Sequence, residues 1–151
     1  MNFVNSWNPD CGFSANENQK LLQYHEDKGG LLFTEFNVTQ GMPGKKRSLD
    51  AIRFPQLEKD SYQSAGNYEK LKELIQKYKV ELIEVHKWGF YGFGQLIGKS
   101  YILEQQWNPH HFEKVLITMS SETYHPETKP DPVTRSVFDA FDIKVYVPNS
   151  D

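Results

Sequence analysis

The sequence predicts an α/β fold in a single domain that spans residues 1–151. Short runs rich in branched apolar residues alternate with longer stretches whose apolar residues recur at helical spacing. The length of 151 residues and the hydrophobic content of 38% are ordinary for one folded domain with its own core. We therefore expect a mixed central sheet of about five strands with helices on its faces.

Charge and cysteine content exclude several classes of protein. The formal net charge of −3 disfavours a general coat for nucleic acid, but a local patch could still bind phosphate. Cys11 is the only cysteine, so we expect no disulfide framework and no thiolate metal cluster, and a reducing compartment fits. No apolar run approaches membrane-spanning length, and the first residues lack the pattern of a signal peptide.

The first half of the chain predicts a helix followed by two strands. Ser14 and Glu17 have the spacing of a capping box, so a helix should run from there to about residue 27. Residues 31–38 and 47–54 alternate as strands do, and a polar connection follows over residues 55–66. Alternation assigns Leu31, Phe33, Glu35 and Asn37 to one face of the first strand, and Ser48, Asp50, Ile52 and Phe54 to one face of the second.

The second half of the chain alternates helices and strands. An amphipathic helix is expected over residues 67–79, and a strand over residues 80–88 follows it directly. Glycines and aromatic residues at 89–94 predict a turn, after which a helix should run from about residue 93 to residue 106. The remaining predicted elements are a strand over residues 112–119, a short helix ending near residue 141 and a last strand over residues 143–147.

Polar residues in the strand over residues 80–88 point to chemistry. Glu84 and His86 share one face with apolar neighbours, and burying them unpaired would cost several kcal/mol, so they need partners or a metal. Asp50 is a second acid in the middle of a strand, where aspartate is disfavoured. Two such carboxylates suit Mg²⁺, which takes oxygen ligands and leaves positions for water and substrate phosphate.

Other interpretations of these charged residues stay open. Asp50 could bond Arg47 or a turn amide, and Glu84 could form a structural ion pair with Lys87 or Lys99. The triplet Lys45, Lys46 and Arg47 is either a phosphate contact or a solvated hairpin tip.

The order of these residues resembles the PD-(D/E)xK nuclease superfamily, which has the restriction-endonuclease-like fold. The segments that carry the resemblance are Arg47-Ser48-Leu49-Asp50-Ala51-Ile52 and Ile83-Glu84-Val85-His86-Lys87. The preceding helix with Glu17 and the following helix with Gln95 match the same layout, over roughly residues 16–106. Within the superfamily, the arrangement is similar to archaeal Holliday-junction resolvases and to small prokaryotic and phage nucleases.

The resemblance implies an endonuclease that uses Mg²⁺ or Mn²⁺ and acts on double-stranded or branched DNA. Asp50 and Glu84 would bind the metal, and Glu17 would complete the site directly or through a water. The resemblance further implies a cytoplasmic protein, prokaryotic or phage-encoded, with no membrane partner. Enzymes of this type often work as homodimers, because cutting two strands needs two sites.

The sequence departs from the family at the position of its lysine, which His86 occupies. His86 could act as the base, because its unperturbed pKa is about 6.5. A β-bulge could turn Lys87 inward. Lys99 could instead supply the cation from the next helix, where Gln95 matches the glutamine of a Q-x-x-x-Y motif whose tyrosine is absent. If none of the three serves, the protein would bind nucleic acid or a protein partner without cutting.

Overall fold

The computed structural model describes residues 15–57, 61–64, 67–86, 89–118 and 132–148. The elements in chain order are α1 (Ala15–Lys28), β1 (Leu31–Asn37), β2 (Ser48–Phe54), β3 (Ser61–Ser64), α2 (Tyr68–Lys77), β4 (Lys79–His86), α3 (Gly89–Trp107), β5 (His111–Thr118), α4 (Pro132–Ala140) and β6 (Ile143–Tyr146). The predicted α/β class, with a mixed sheet flanked by helices, is confirmed. Among the described residues, no helix has the length and apolar character needed to span a bilayer.

The strands form one sheet in the order β3-β1-β2-β4-β5-β6. β2 pairs antiparallel with both β1 and β4, whereas β3, β5 and β6 join through parallel pairings. The five predicted strands are all present. The additional strand β3 lies at one edge, inside the segment predicted to be a polar connection. Four residues paired on one side only are too few for periodicity to reveal them.

Helices cover the two faces of the sheet unequally. α1 lies on one face, where Leu21 and Tyr24 pack on apolar residues of β2, β4 and β5; we call this the α1-side core. α2, α3 and α4 lie on the other face and bury the larger cluster, which we call the α3-side core. β4 is buried from Val80 to Val85, so its side chains pack alternately into the two cores.

α3 begins at Gly89, several residues before the predicted start near residue 93, so the predicted turn over residues 89–94 is wrong. Glycine is a poor helix former in general, which is why the local sequence favours a turn. Gly92 nevertheless lies in α3 where the helix crosses β4 and β5. A Cβ at this position would overlap the side chain of Leu116 and lie 2.9 Å from His86 Cβ. The close approach of helix to sheet requires a glycine there.

A buried ion pair connects α1 to the centre of the sheet. Arg53 and Glu81 are register partners on β2 and β4, and Arg53 Nε and Nη2 donate to the two Glu81 carboxylate oxygens at 2.7 and 2.8 Å. Tyr24 of α1 donates its hydroxyl to the same carboxylate at 2.8 Å. Arg53 Nη1 also donates to the Gly29 carbonyl at 2.9 Å, just beyond the helix. We call this set of contacts the α1 clamp.

Breaking the α1 clamp should destabilise the fold strongly. Arg53→Ala leaves the Glu81 carboxylate buried without its counter-ion, so we expect a loss of about 3–5 kcal/mol in the free energy of unfolding measured with urea. The double variant Arg53→Met/Glu81→Leu removes both charges and should recover most of that loss. As a control, Lys144→Ala removes an exposed partner of Glu113 and should cost less than about 1 kcal/mol. If Arg53→Ala lowered the free energy of unfolding no more than Lys144→Ala does, the α1 clamp would not have the stabilising role expected here.

Substitution by alanine should change stability in opposite directions at different glycines of α3. Gly92→Ala should lower the free energy of unfolding by about 1–3 kcal/mol, because the added methyl group forces the helix away from β4 and β5. Gly94→Ala and Gly98→Ala meet nothing within 4 Å and should raise stability by about 0.5–1 kcal/mol through helix propensity. Thermal unfolding of the three variants measures the difference. If Gly92→Ala stabilised the protein, the packing of α3 on Leu116 and His86 would have room for a methyl group.

Candidate functional site

Glu84 is a buried acid on the central strand, and a lysine from α3 reaches it. Its side chain is 5% exposed, on the α3-side face of β4, and Lys99 Nζ lies 2.6 Å from Glu84 Oε1. α3 follows β4 and packs back across it, which brings residue 99 over residue 84. One of the structural alternatives left open by the sequence is therefore present: Lys99 is a direct partner of Glu84.

Asp50 meets Glu84 where the pairing between β2 and β4 ends. The last register pair of these strands is Ala51 with Ile83, and continuing the register places Asp50 opposite Glu84. The Val85 backbone N–H donates to Asp50 Oδ2 at 2.7 Å, so the Asp50 side chain takes the place of a backbone acceptor. Asp50 thus bonds a strand amide, and neither Arg47 nor a turn amide is the partner in this bond.

The regular alternation of β1 and β2 breaks at the same level of the sheet. The register pairs Thr34 with Ala51 and Phe36 with Leu49, and it omits the pair between Glu35 and Asp50. The predicted faces are therefore wrong beyond this point. Phe36 lies in the α3-side core, as Phe33 does, although the two are an odd number of positions apart. Leu49 likewise lies in the same core as Ile52, also three residues away.

Glu17 is a third acid near Asp50, and it comes from α1. Its first-turn position puts it two helical turns before Tyr24, on the side of the helix that the α1 clamp holds against the sheet. Burial, and then the negative charge of Asp50, raise the pKa of Glu17, so the two carboxyl groups are close enough to interact. The predicted capping partner Ser14 lies outside the described residues.

The environment of Glu84 favours its protonated form. Burial is the largest cause, and the negative charge of Asp50 together with a hydrogen bond between the two carboxyl groups adds to it. Lys99 acts in the opposite direction but does not cancel these effects, and the pKa of Glu84 rises to about 9. Glu84 therefore keeps its proton at neutral pH, and a divalent cation bound beside it would favour the ionised form.

The other predicted site residues have different placements. His86 follows Glu84 by two residues on the same face, about 7 Å further along β4, and is half-buried next to Gly92. Gln95 is exposed on α3, one turn before Lys99. Lys87 lies outside the described residues. Lys99 contacts a site carboxylate directly.

The basic triplet of Lys45, Lys46 and Arg47 is fully on the surface, in the connection between β1 and β2. The connection is closed at its base by the Val38 N–H, which donates to the Arg47 carbonyl at 2.9 Å. Arg47 precedes Asp50 by three residues, a separation of about 10 Å along an extended strand. A phosphate backbone that crosses the carboxyl group of Asp50 could therefore reach the triplet.

Within the described ranges, no three side chains of His, Cys, Asp or Glu form a complete metal-binding set. Two carboxylates with open positions for water and phosphate are nevertheless the usual protein contribution to a Mg²⁺ site. The α1 clamp, which holds Glu17 over the sheet, was not predicted. Its signal was present, because Arg53 and Glu81 are opposite charges in two neighbouring strands that are otherwise apolar.

The raised pKa of Glu84 predicts a pH-dependent stability. Between pH 4.5 and about 9 the folded protein keeps a proton that the unfolded chain has lost, so stability should fall as pH rises through this window. Urea unfolding in EDTA should show a slope of up to about 1.4 kcal/mol per pH unit relative to Glu84→Gln, whose side chain does not titrate. Parallel pH profiles for the two proteins would show that Glu84 ionises normally.

A scan against protein-family models and searches of curated proteins and solved structures found no match to this chain. The fold brings together four residues with chemical potential: Glu17, Asp50, Glu84 and Lys99.

Proposed function

We propose that this chain is a Mg²⁺- or Mn²⁺-dependent endodeoxyribonuclease of the PD-(D/E)xK type, with the restriction-endonuclease-like fold. The observation that carries the proposal is the contact of Asp50 and Glu84 at the point where β2 and β4 separate, with Lys99 on Glu84. Glu17 lies on α1, Asp50 on β2, Glu84 on β4 and Lys99 on α3, which is the chain order on which the resemblance to that superfamily is based.

The two carboxyl groups fit a hard divalent cation. Both ligands are oxygens and both lie at one point of the sheet, and a bound cation would take the place of the hydrogen bond between the two carboxyl groups. Glu17 approaches Asp50 from α1 and could bind the cation through a water. Burial makes the pair costly to ionise without added positive charge, so cation binding should be accompanied by release of the Glu84 proton.

Lys99 supports the chemistry by supplying a basic group from α3. Its side chain is 14% exposed and its ammonium contacts Glu84, so it reaches the site from α3 although the strand position itself holds His86. From there it could donate a hydrogen bond to the attacking water or to a non-bridging phosphate oxygen. His86 stays a candidate base, since it lies on the same face of β4.

The reaction would be an in-line attack of water on a DNA phosphate. The bound cation would supply neutralisation of the charge that develops on the phosphate oxygens. Asp50 and Glu84 would hold that cation, and Lys99 would orient the nucleophile. The exposed Lys45, Lys46 and Arg47 would contact the DNA backbone beside the cleaved bond. Cutting both strands of a duplex or a branched substrate would require two copies of the chain.

The contact between Lys99 and Glu84 also favours a second function: an inactive protein of the same fold that binds nucleic acid or a protein partner. At 2.6 Å the ammonium already places a positive charge beside the two carboxyl groups, where a cation would otherwise lie. In that case no cation would bind, and any contact with nucleic acid would be made by the basic triplet alone.

Cleavage of plasmid, single-stranded and four-way-junction DNA in Mg²⁺ or Mn²⁺ tests the proposal, with EDTA as the metal-free reference. Asp50→Asn and Glu84→Gln should each lower the cleavage rate by about 100-fold or more, because each removes a charged ligand. Lys99→Met should cause a loss of the same order. His86→Gln separates the two candidate basic groups: it should retain activity if Lys99 has the role proposed here.

Glu113→Gln is the matched control, because Glu113 is also a lysine-paired acid on this sheet but lies outside the site. It should cut at the wild-type rate. Cleavage by the wild type that persists in Asp50→Asn and Glu84→Gln would overturn the site. No cleavage by the wild type, combined with DNA binding that weakens with salt and with loss of the basic triplet, would favour the inactive alternative.

A further inference from the structure

The residue opposite Asp50 has an unusual backbone conformation. Glu35 has a φ of 56°, in the left-handed region that side chains with a Cβ rarely adopt. The other two such non-glycine residues among those described, Asn108 and Asp142, follow the ends of α3 and α4, where a left-handed residue commonly closes a helix. Glu35 instead lies in the middle of β1, where no helix end accounts for it.

The side chain of Glu35 does not explain this conformation. It is exposed while every other residue of β1 is buried, and it follows Thr34, the last residue of β1 that pairs with both β2 and β3. The conformation does coincide with the missing register pair between Glu35 and Asp50. Beyond Glu35, the side chains of β1 point to the opposite faces from those that regular alternation predicts, so that Phe33 and Phe36 enter the same core. The partner strand makes the matching reversal at Asp50, since Leu49 and Ile52 enter that core as well.

We propose that the left-handed conformation of Glu35 is what positions Asp50, so that Glu35 is a positioning residue of the candidate site. A regular β1 would pair residue 35 with residue 50. The side chain of Asp50 would then point to one face of the sheet, as in any regular ladder. The reversal releases Asp50 from that pairing. Its carboxylate can then turn along the sheet to accept the Val85 N–H and meet Glu84. Strain at functional positions of this kind persists only where the surrounding structure compensates for it.

The role of Glu35 belongs to its backbone and not to its carboxylate. Glycine adopts the left-handed conformation freely, whereas a β-branched residue resists it. Glu35→Gly and Glu35→Val both remove the carboxylate, so any difference between them reports the backbone alone. The inference rests on the proposed function only where cation binding is measured.

The test compares these variants by two measurements. The first is the amide proton of Val85 in the metal-free protein, observed by NMR, because a hydrogen bond to a carboxylate shifts it downfield and slows its exchange; Asp50→Asn identifies this signature. The second is the Kd for Mn²⁺, measured by electron paramagnetic resonance. Glu35→Gly should keep the Val85 signature and a Kd within about twofold of the wild type. Glu35→Val should lose the signature and bind Mn²⁺ about tenfold more weakly or worse.

Asp142→Val is the matched control, because it places the same residue at another left-handed position, beyond α4 and outside the site. It should lower the melting temperature and leave both readouts unchanged. If Glu35→Val does not fold, Glu35→Ala takes its place, with a smaller effect expected in the same direction.

Two outcomes would overturn the inference: equal behaviour of Glu35→Val and Glu35→Gly, or loss of the Val85 signature in Glu35→Gly, which would assign the effect to the carboxylate. Failure of the proposed function looks different, since the wild type would then show the Val85 signature and no affinity for Mn²⁺. In that case the Val85 amide alone decides whether Glu35 positions Asp50.

Discussion

The structure depends on how two carboxyl groups are neutralised on its central strand. β4 is buried from Val80 to Val85, yet it carries Glu81 toward the α1-side core and Glu84 toward the α3-side core. Neither acid can remain charged and unpaired at that depth. Each is therefore met by groups from a helix on its own side, and these contacts help determine where α1 and α3 lie.

The two acids are satisfied in different ways, and the difference separates structure from chemistry. Glu81 has both oxygens bound by Arg53 and one by Tyr24, so its negative charge is matched by a guanidinium in a bidentate pair. Glu84 has one oxygen on Lys99 and faces another acid, Asp50, and its pKa is raised accordingly. Similar carboxyl groups three residues apart thus have opposite electrostatic environments. Glu84, whose protonated form is favoured, is the acid at which we propose that a cation binds.

The candidate site lies where regular sheet structure stops on both sides of β2. Its pairing with β1 is interrupted between Glu35 and Asp50, and its register pairs with β4 end at Ala51. An aspartate in an unbroken ladder would have its carboxylate directed away from the strand plane. The interruption lets Asp50 bond a strand amide and approach Glu84, while the α1 clamp keeps Glu17 on the opposite side of the same position. A rigid scaffold and a local irregularity together assemble the acids.

The sequence by itself determined the α/β class, all four of the described helices, five of the six described strands and the placement of Asp50 and Glu84 on neighbouring strands. These follow from periodicity and capping, which neighbouring residues encode. The tertiary structure alone decided the left-handed conformation of Glu35, the contact between Lys99 and Glu84, and the helical state of residues 89–94. Each of these results from packing between segments far apart in the chain. Gly92 shows the reason most directly: the same residue that weakens a helix locally permits α3 to approach β4 and β5 closely enough to bring Lys99 to Glu84.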